Sequence, residues 1–276
     1  MKLGIVHRTQ YAYATAVRDS FNELRLRPGT DEDQTVDSFL LKVTPPTRLQ
    51  DYRDFYANCV HHFDIREPHD CLVIESRLEV TTHPRRRLEA EARPGSRTRL
   101  REALDGDGLY DFVQASRYVD TEPATWRLAM DAAQEEDDVW QCALRLMRFV
   151  NGHLGYQSQS TQVHTHMREV LAQRRGVCQD FAHVMIGMCR TLRMPARYIS
   201  GYLATETASA MHAWMEVFVP GAGWQALDPT HNRQTDETYV KIAAGRDYGD
   251  VAPVRGTYRG TMDRKMTVEV KIERRD

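Results

Sequence analysis

The apolar residues of this chain change their spacing twice, and that change limits the possible folds more than any single motif does. Up to about residue 85 they fall on every second position, as a half-buried strand requires. "FNELRLRP" alternates and stops at Pro28-Gly29, and "TVDSFLLKVTPP" alternates and stops at Pro45-Pro46. "NCVHHFDI" and "CLVIESRLEV" follow, separated by polar, turn-like stretches. Short strands at this spacing predict an antiparallel sandwich or barrel. From residue 120 the period is helical. "EPATWRLAMDAAQ" opens a first helix with Pro123 in its first turn, where a missing N–H costs nothing. "DDVWQCALRLMRFVNGHLGY" is a second helix, and "THMREVLAQRRG" a third that ends at Gly176. "CQDFAHVMIGMCRTLRMP" is a fourth, with Phe181, Val184, Met185, Met188 and Leu192 on one stripe and Pro195 as its stop. Beyond it the period returns to two, in "ARYISGYLA", "MHAWMEVFV", "GWQALDP", "YVKIAAG" and "MTVEVKIE".

These switches divide the chain into a β-domain over 1–85, a connection over 86–118 and a core over 119–276 that keeps the C-terminal strands. Most of the connection falls in "TTHPRRRLEAEARPGSRTRLREALDGDG" (81–108), which is charged and weakly patterned. Acidic residues interleave its arginines and no aromatic platform accompanies them, so a solvated face is expected rather than a nucleic-acid patch. "DGDGLYD" (105–111) resembles the front of a calcium loop, but Ser116 stands where the bidentate Glu belongs.

A net charge of −2 from balanced charges gives no global attraction to nucleic acid or membrane. No apolar run approaches the ~20 residues that span a bilayer. The N-terminus lacks an apolar signal core, so a cytoplasmic protein is expected. The five cysteines are odd in number and include no C-x-x-C, which predicts free thiols and no thiolate zinc site.

One thiol is placed differently from the rest. Cys178 stands at the front of the fourth helix, where unpaired N–H groups and the helix dipole favour a thiolate. Cys189, mid-helix, has neither. A packed thiol and a reactive one remain equal readings on this ground alone. A thiolate nucleophile needs a base, and the base needs an orienting acceptor. His212 on "MHAWMEVFV" and Asp228 at the end of "GWQALDP" fit those needs. Taken singly, each also fits a core histidine and a turn carboxylate. Register decides whether they meet. If Phe218 pairs with Trp224, Trp214 pairs with Asp228, and His212 lies diagonal to Asp228 on one face, ~7–8 Å away between backbones. If Val219 pairs with Trp224, the two residues point to opposite faces.

The stretches "RRGVCQDFAHVMIGMCRTLRMPARYISGYL" and "MHAWMEVFVPGAGWQALDPTHN" resemble the transglutaminase-like core of the papain-like cysteine enzymes, over roughly 135 to 235. "YAYATAVRDSFNELRLRP" and "PHDCLVIESRLEV" are similar to the β-domain that precedes this core in bacterial members, and "GRDYGDVAPVRGTYRG" is similar to their tail. Ala57 stands before Asn58 where relatives often carry Gly. The resemblance implies an α+β fold: a nucleophile helix packed on an antiparallel sheet, behind an antiparallel β-sandwich. It implies Cys178 as nucleophile, His212 as general base and then acid, and Asp228 as the acceptor that orients the imidazole. The substrate would be a peptide or other amide, and no cofactor is implied. The Cys178 N–H would be one oxyanion donor. For the second, Gln179, Gln173 and Tyr156 are candidates. Trp214 and Trp224 would line an acyl slot or pack in the core. His164, His166 and His183 would need a third convergent ligand to hold a metal. His231 follows the Asp loop toward the cleft rim, and Tyr248 to Tyr258 are expected to return across the site.

Overall fold

Alternation near the N-terminus builds one strand that the sequence breaks divide too finely. In the computed structural model, which describes residues 1–104, 108–205 and 210–275, β1 runs unbroken from Lys2 to Arg27. Register shifts at Ala12/Val17 and Arg18/Phe21 bend it, as bulges do. Each half therefore joins a different sheet. β2 (Gln34–Thr44), β3 (Gln50–Arg53), β4 (Cys59–Ile65) and β5 (His69–Thr82) follow, in the order β2-β5-β1-β4-β3. Tyr11, Val17, Leu24, Phe63, Leu72 and Ile74 from both halves form one apolar core.

The connection is not a free linker. It contains the helix α1 (Arg97–Leu104) and a short 3₁₀ turn, Tyr110–Val113. Its arginines are used: Arg87 donates to the Thr235 carbonyl at 3.1 Å, and Arg93 binds Glu136 at 2.7 Å. Charge along a segment reads as solvated in one dimension, but here the charged groups reach backbone acceptors of the core. The first three residues of the calcium-like "DGDGLYD" stretch, 105–107, lie outside the described residues.

The core begins with α2 (Pro123–Ala133) and α3 (Val139–His153). The Asp138 side chain caps α3 by accepting from the Gln141 N–H at 3.0 Å. The short strand β6 (Gly155–Tyr156), helix α4 (Met167–Gln173) and short strand β7 (Arg175–Gly176) lead into α5 (Cys178–Thr191). α4 ends one turn before Gly176, and Arg174 takes the left-handed cap at φ 52°. α5 is covered on all sides. Val184, Met185, Ile186 and Met188 are each 1% exposed or less, and burying each stabilises the helix by ~1.5–3 kcal/mol. It packs on an antiparallel sheet of β8 (Ala196–Leu203), β9 (His212–Val219), β10 (Gly223–Asp228), β11 (Arg233–Gln234) and β12 (Tyr239–Gly245), ordered β11-β10-β9-β8-β12. No helix among the described residues is long and apolar enough to cross a membrane.

After the short helix α6 (Tyr248–Val251) the chain leaves the core. β13 (Val254–Arg259) pairs with the second half of β1, and β14 (Arg264–Arg274) with the first. The C-terminal strands thus complete the N-terminal sheets and not the core to which the sequence period assigns them. Period two shows that a segment is a strand without showing its partner. Both halves of β1 had an open edge, and its unpaired N–H and C=O groups needed one.

Candidate active site

The turn between β9 and β10 sets the site. Gly223 pairs with Val219 and Trp224 with Phe218, leaving Pro220 to Ala222 as the turn, with Gly221 at φ 79°. This is the register that puts His212 and Asp228 on one face, reached through a tighter turn than five residues. His212 Nε2 lies 2.7 Å from Asp228 Oδ2. A carboxylate only accepts, so Nε2 carries the proton and Nδ1 is left for the opposite side. Cys178, at the first position of α5, lies near enough to the ring to raise its pKa.

Asp228 is fully buried and serves three side chains. Its Oδ2 accepts from His212, from His231 Nδ1 at 2.7 Å and from the Tyr239 hydroxyl at 2.7 Å. Its Oδ1 accepts from the Thr230 N–H at 2.9 Å. Burial favours the neutral acid, but the hydrogen bonds from His212 and His231, the His212 charge and the Tyr239 hydroxyl outweigh it and hold the carboxyl well below its usual range. His212 shows the converse. Burial works to lower its pKa, while the hydrogen bonds to Asp228 and Cys178 raise it from 6.5 to about 9. His212, Asp228 and His231 are also a group whose ligand atoms could approach one ion, lying within 4.8 Å of one another. Hydrogen bonds to the shared oxygen already account for that closeness.

The front of α5 is fixed from two sides. Asp180 Oδ2 accepts from the Val177 N–H at 2.7 Å and from Thr161 Oγ1 at 2.6 Å. That carboxylate lies against Gly176, where an added Cβ would stand 2.6 Å from it. Gly176 is thus required by close approach and not by a left-handed turn. The Cys178 N–H has no backbone partner among the described residues and points from the first turn of the helix.

The other sequence candidates separate. Tyr156 is 59% exposed and stands opposite Gly176 in the β6–β7 pair; partial burial, and then the nearby Cys178, push its phenol pKa up. Gln179 commits its amide nitrogen to the Val163 carbonyl at 3.1 Å. Trp214 cannot touch a substrate in this conformation, because it is 0% exposed. It stacks behind His212 at 6.2 Å between ring centroids and meets Tyr239 edge-on, so it is a packing residue and not an acyl slot. Trp224 lies under the Arg197 guanidinium at 4.2 Å. His164, His166 and His183 do not converge: His164 bonds Tyr118, His166 caps α4 and His183 accepts from the Tyr248 N–H. Tyr239 is the residue that sequence reasoning missed. It starts β12, at the far edge of the sheet from β10, and no local pattern signals that its hydroxyl returns to Asp228.

Residues 127–229 match the transglutaminase-like superfamily, and residues 3–81 match the bacterial transglutaminase-like N-terminal region. The chain is 32% identical to an uncharacterised protein of Mycobacterium leprae, across 98% of each chain. It is 34% identical over 68 residues to a protein of Pseudomonas aeruginosa named protein-glutamine gamma-glutamyltransferase, covering 21% of this chain and 10% of that one. A crystal structure from Cytophaga hutchinsonii, provisionally described as a cysteine protease, is similar with a TM-score of 0.81 and 24% identity, over 100% of this chain and 92% of that one; the likeness is one of fold. A helix packed on an antiparallel sheet behind a β-rich domain places the molecule in the transglutaminase-like, papain-like class. With both of its regions matched in order, the chain belongs to the bacterial transglutaminase-like family.

Proposed function

We propose that this protein is a cysteine-dependent amide hydrolase that works through a thioester on Cys178. The observation that carries the reading is the His212 ring, held by buried Asp228 through Nε2 at 2.7 Å, with its pKa raised by both Asp228 and Cys178 at the front of α5. In the reactive pair the Cys178 proton sits on His212 Nδ1, and the sulfur attacks the carbonyl carbon of an amide. The developing oxyanion is met by the Cys178 N–H, with the exposed Tyr156 hydroxyl as the second candidate donor. The C–N bond breaks as His212 returns the proton to the leaving amine. Water then attacks the thioester with His212 as base, releasing the acid and the thiol. The same thioester can pass to a primary amine, and the similarity to a named glutamyltransferase favours that second reading. Hydrolysis is preferred because water is always present and nothing in the sequence announces an amine subsite.

A thiol-reactive peptide amide at neutral pH tests the proposal. Rapid labelling of Cys178, lost in His212→Ala, is expected. Labelling no faster than that of buried Cys59 or Cys189 would instead mark a catalytically silent scaffold. Adding a primary amine separates the two fates, since acid alone as product excludes transfer.

A further inference from the structure

The β-domain and the core enclose a cavity of about 320 Å³ between them. Three guanidinium groups line it, from Arg117, Arg255 and Arg264, and no carboxylate does. Neighbouring Arg246 and Arg259 are neutralised by Asp250 and Asp19. The three lining arginines form no such pair among the described residues. Two of them are held by rings. Arg264 lies 5.5 Å from the ring centroids of both Tyr11 and Tyr258, and Arg117 lies 5.3 Å from that of Tyr118. Stacking fixes the guanidinium plane and leaves its N–H edges free for a carboxylate. Tyr13 and Tyr248 add phenol groups to the wall.

The cavity shares a loop with the candidate nucleophile. Val163 and His164 line it. The Val163 carbonyl accepts from Gln179, next to Cys178, and Thr161 of the same loop binds Asp180 in the first turn of α5. A ligand in the cavity therefore touches the segment that braces the thiol-bearing helix end.

We infer that this cavity is a subsite for the carboxylate-bearing part of an acidic peptide, and this rests on the cysteine-enzyme reading above. The volume is at the low end of the ~300–1,000 Å³ typical of ligand sites, enough for one or two acidic side chains. A nucleic acid is disfavoured because the whole chain carries a net charge of −2. Three unpaired cations in one small, ring-walled space suit a short anion of fixed geometry.

Fluorescence anisotropy with a labelled Glu-rich hexapeptide and its Gln-rich counterpart tests this on full-length Cys178→Ala protein, which cannot turn the peptide over. The Glu peptide should bind at least tenfold more tightly, and the preference should shrink with added salt. The combined Arg117→Gln, Arg255→Gln and Arg264→Gln variant should lose the preference at unchanged Tm, and the corresponding triple Lys variant should retain most of it. Equal binding of the two peptides, or a preference that survives in the Gln variant, overturns the inference. So does tighter, arginine-dependent binding of a single-stranded oligonucleotide of equal length. The enzyme reading fails separately: arginine-dependent binding alongside an inert Cys178 in the wild-type protein would remove catalysis and leave an acidic-peptide pocket.

Discussion

At the scale of single residues, Asp228 governs the site, because one buried oxygen accepts from His212, His231 and Tyr239. Against the lowering effect of burial, Asp228 and Cys178 together raise the His212 pKa from 6.5 to about 9. A raised folded-state pKa means that the His212–Asp228 pairing contributes fully below pH 6.5 and is lost as pH rises through about 9. Amide turnover needs the imidazolium to protonate the leaving amine, so it should fall on the alkaline side near pH 9. In Asp228→Asn this limb should move toward 6.5, and turnover at its optimum should drop by roughly 10²–10⁴-fold, the scale of losing a well-placed acid–base group. A pH–rate profile of both proteins is the check, and an unmoved alkaline limb would refute the role given to Asp228.

At the scale of elements, two turns carry testable constraints. Gly176 precedes α5 with Asp180 in the space a side chain would need. Gly176→Ala should destabilise by ~1–3 kcal/mol, as overpacking does, and should slow Cys178 labelling because the helix front must shift. Denaturant titration together with labelling rate measures both; a wild-type rate would show that the helix front is not fixed in this way. The turn before β4 is the opposite case. Ala57 holds φ 62°, a left-handed conformation that glycine adopts without strain. Its neighbours are pinned by Asp54, whose Oδ1 accepts from the N–H groups of Tyr56 at 3.0 Å and Asn58 at 2.9 Å. Ala57→Gly should therefore stabilise by up to ~1 kcal/mol, raising the midpoint of unfolding; a lower midpoint would mean that the entropy added to the unfolded chain outweighs the relieved strain.

At the scale of the whole molecule, the two regions are joined by side chains that stand in for a strand. Asn58 pairs with both backbone groups of Ala244, at 2.8 Å each, and Gln34 does the same for Lys241, at 2.7 and 2.9 Å. These amides complete the open edge of β12, while β13 and β14 return to β1. Unfolding should accordingly occur in one calorimetric transition. Asn58→Ala leaves the half-buried Ala244 N–H and C=O without their partner and should cost ~1–3 kcal/mol, the range for orphaned polar groups. If two transitions appear in the wild-type protein, the regions are not coupled as this interface requires.

Periodicity and punctuation determined much of this in advance. Pro123 and Pro195 bound helices because their effects are local, and alternating residues mark strands because a pleat has two faces. The order Cys178, His212, Asp228 was legible for the same reason, and a residue count around Pro220 to Gly223 narrowed the register to two choices. The tertiary structure alone chose between them, drew Tyr239 and His231 onto Asp228, buried Trp214 behind the imidazole and sent the last two strands back to β1. Each of those outcomes depends on pairing or packing between segments far apart in the chain. Strand pairing is made of identical backbone groups, so a sequence states which segments can pair long before anything in it states which of them will.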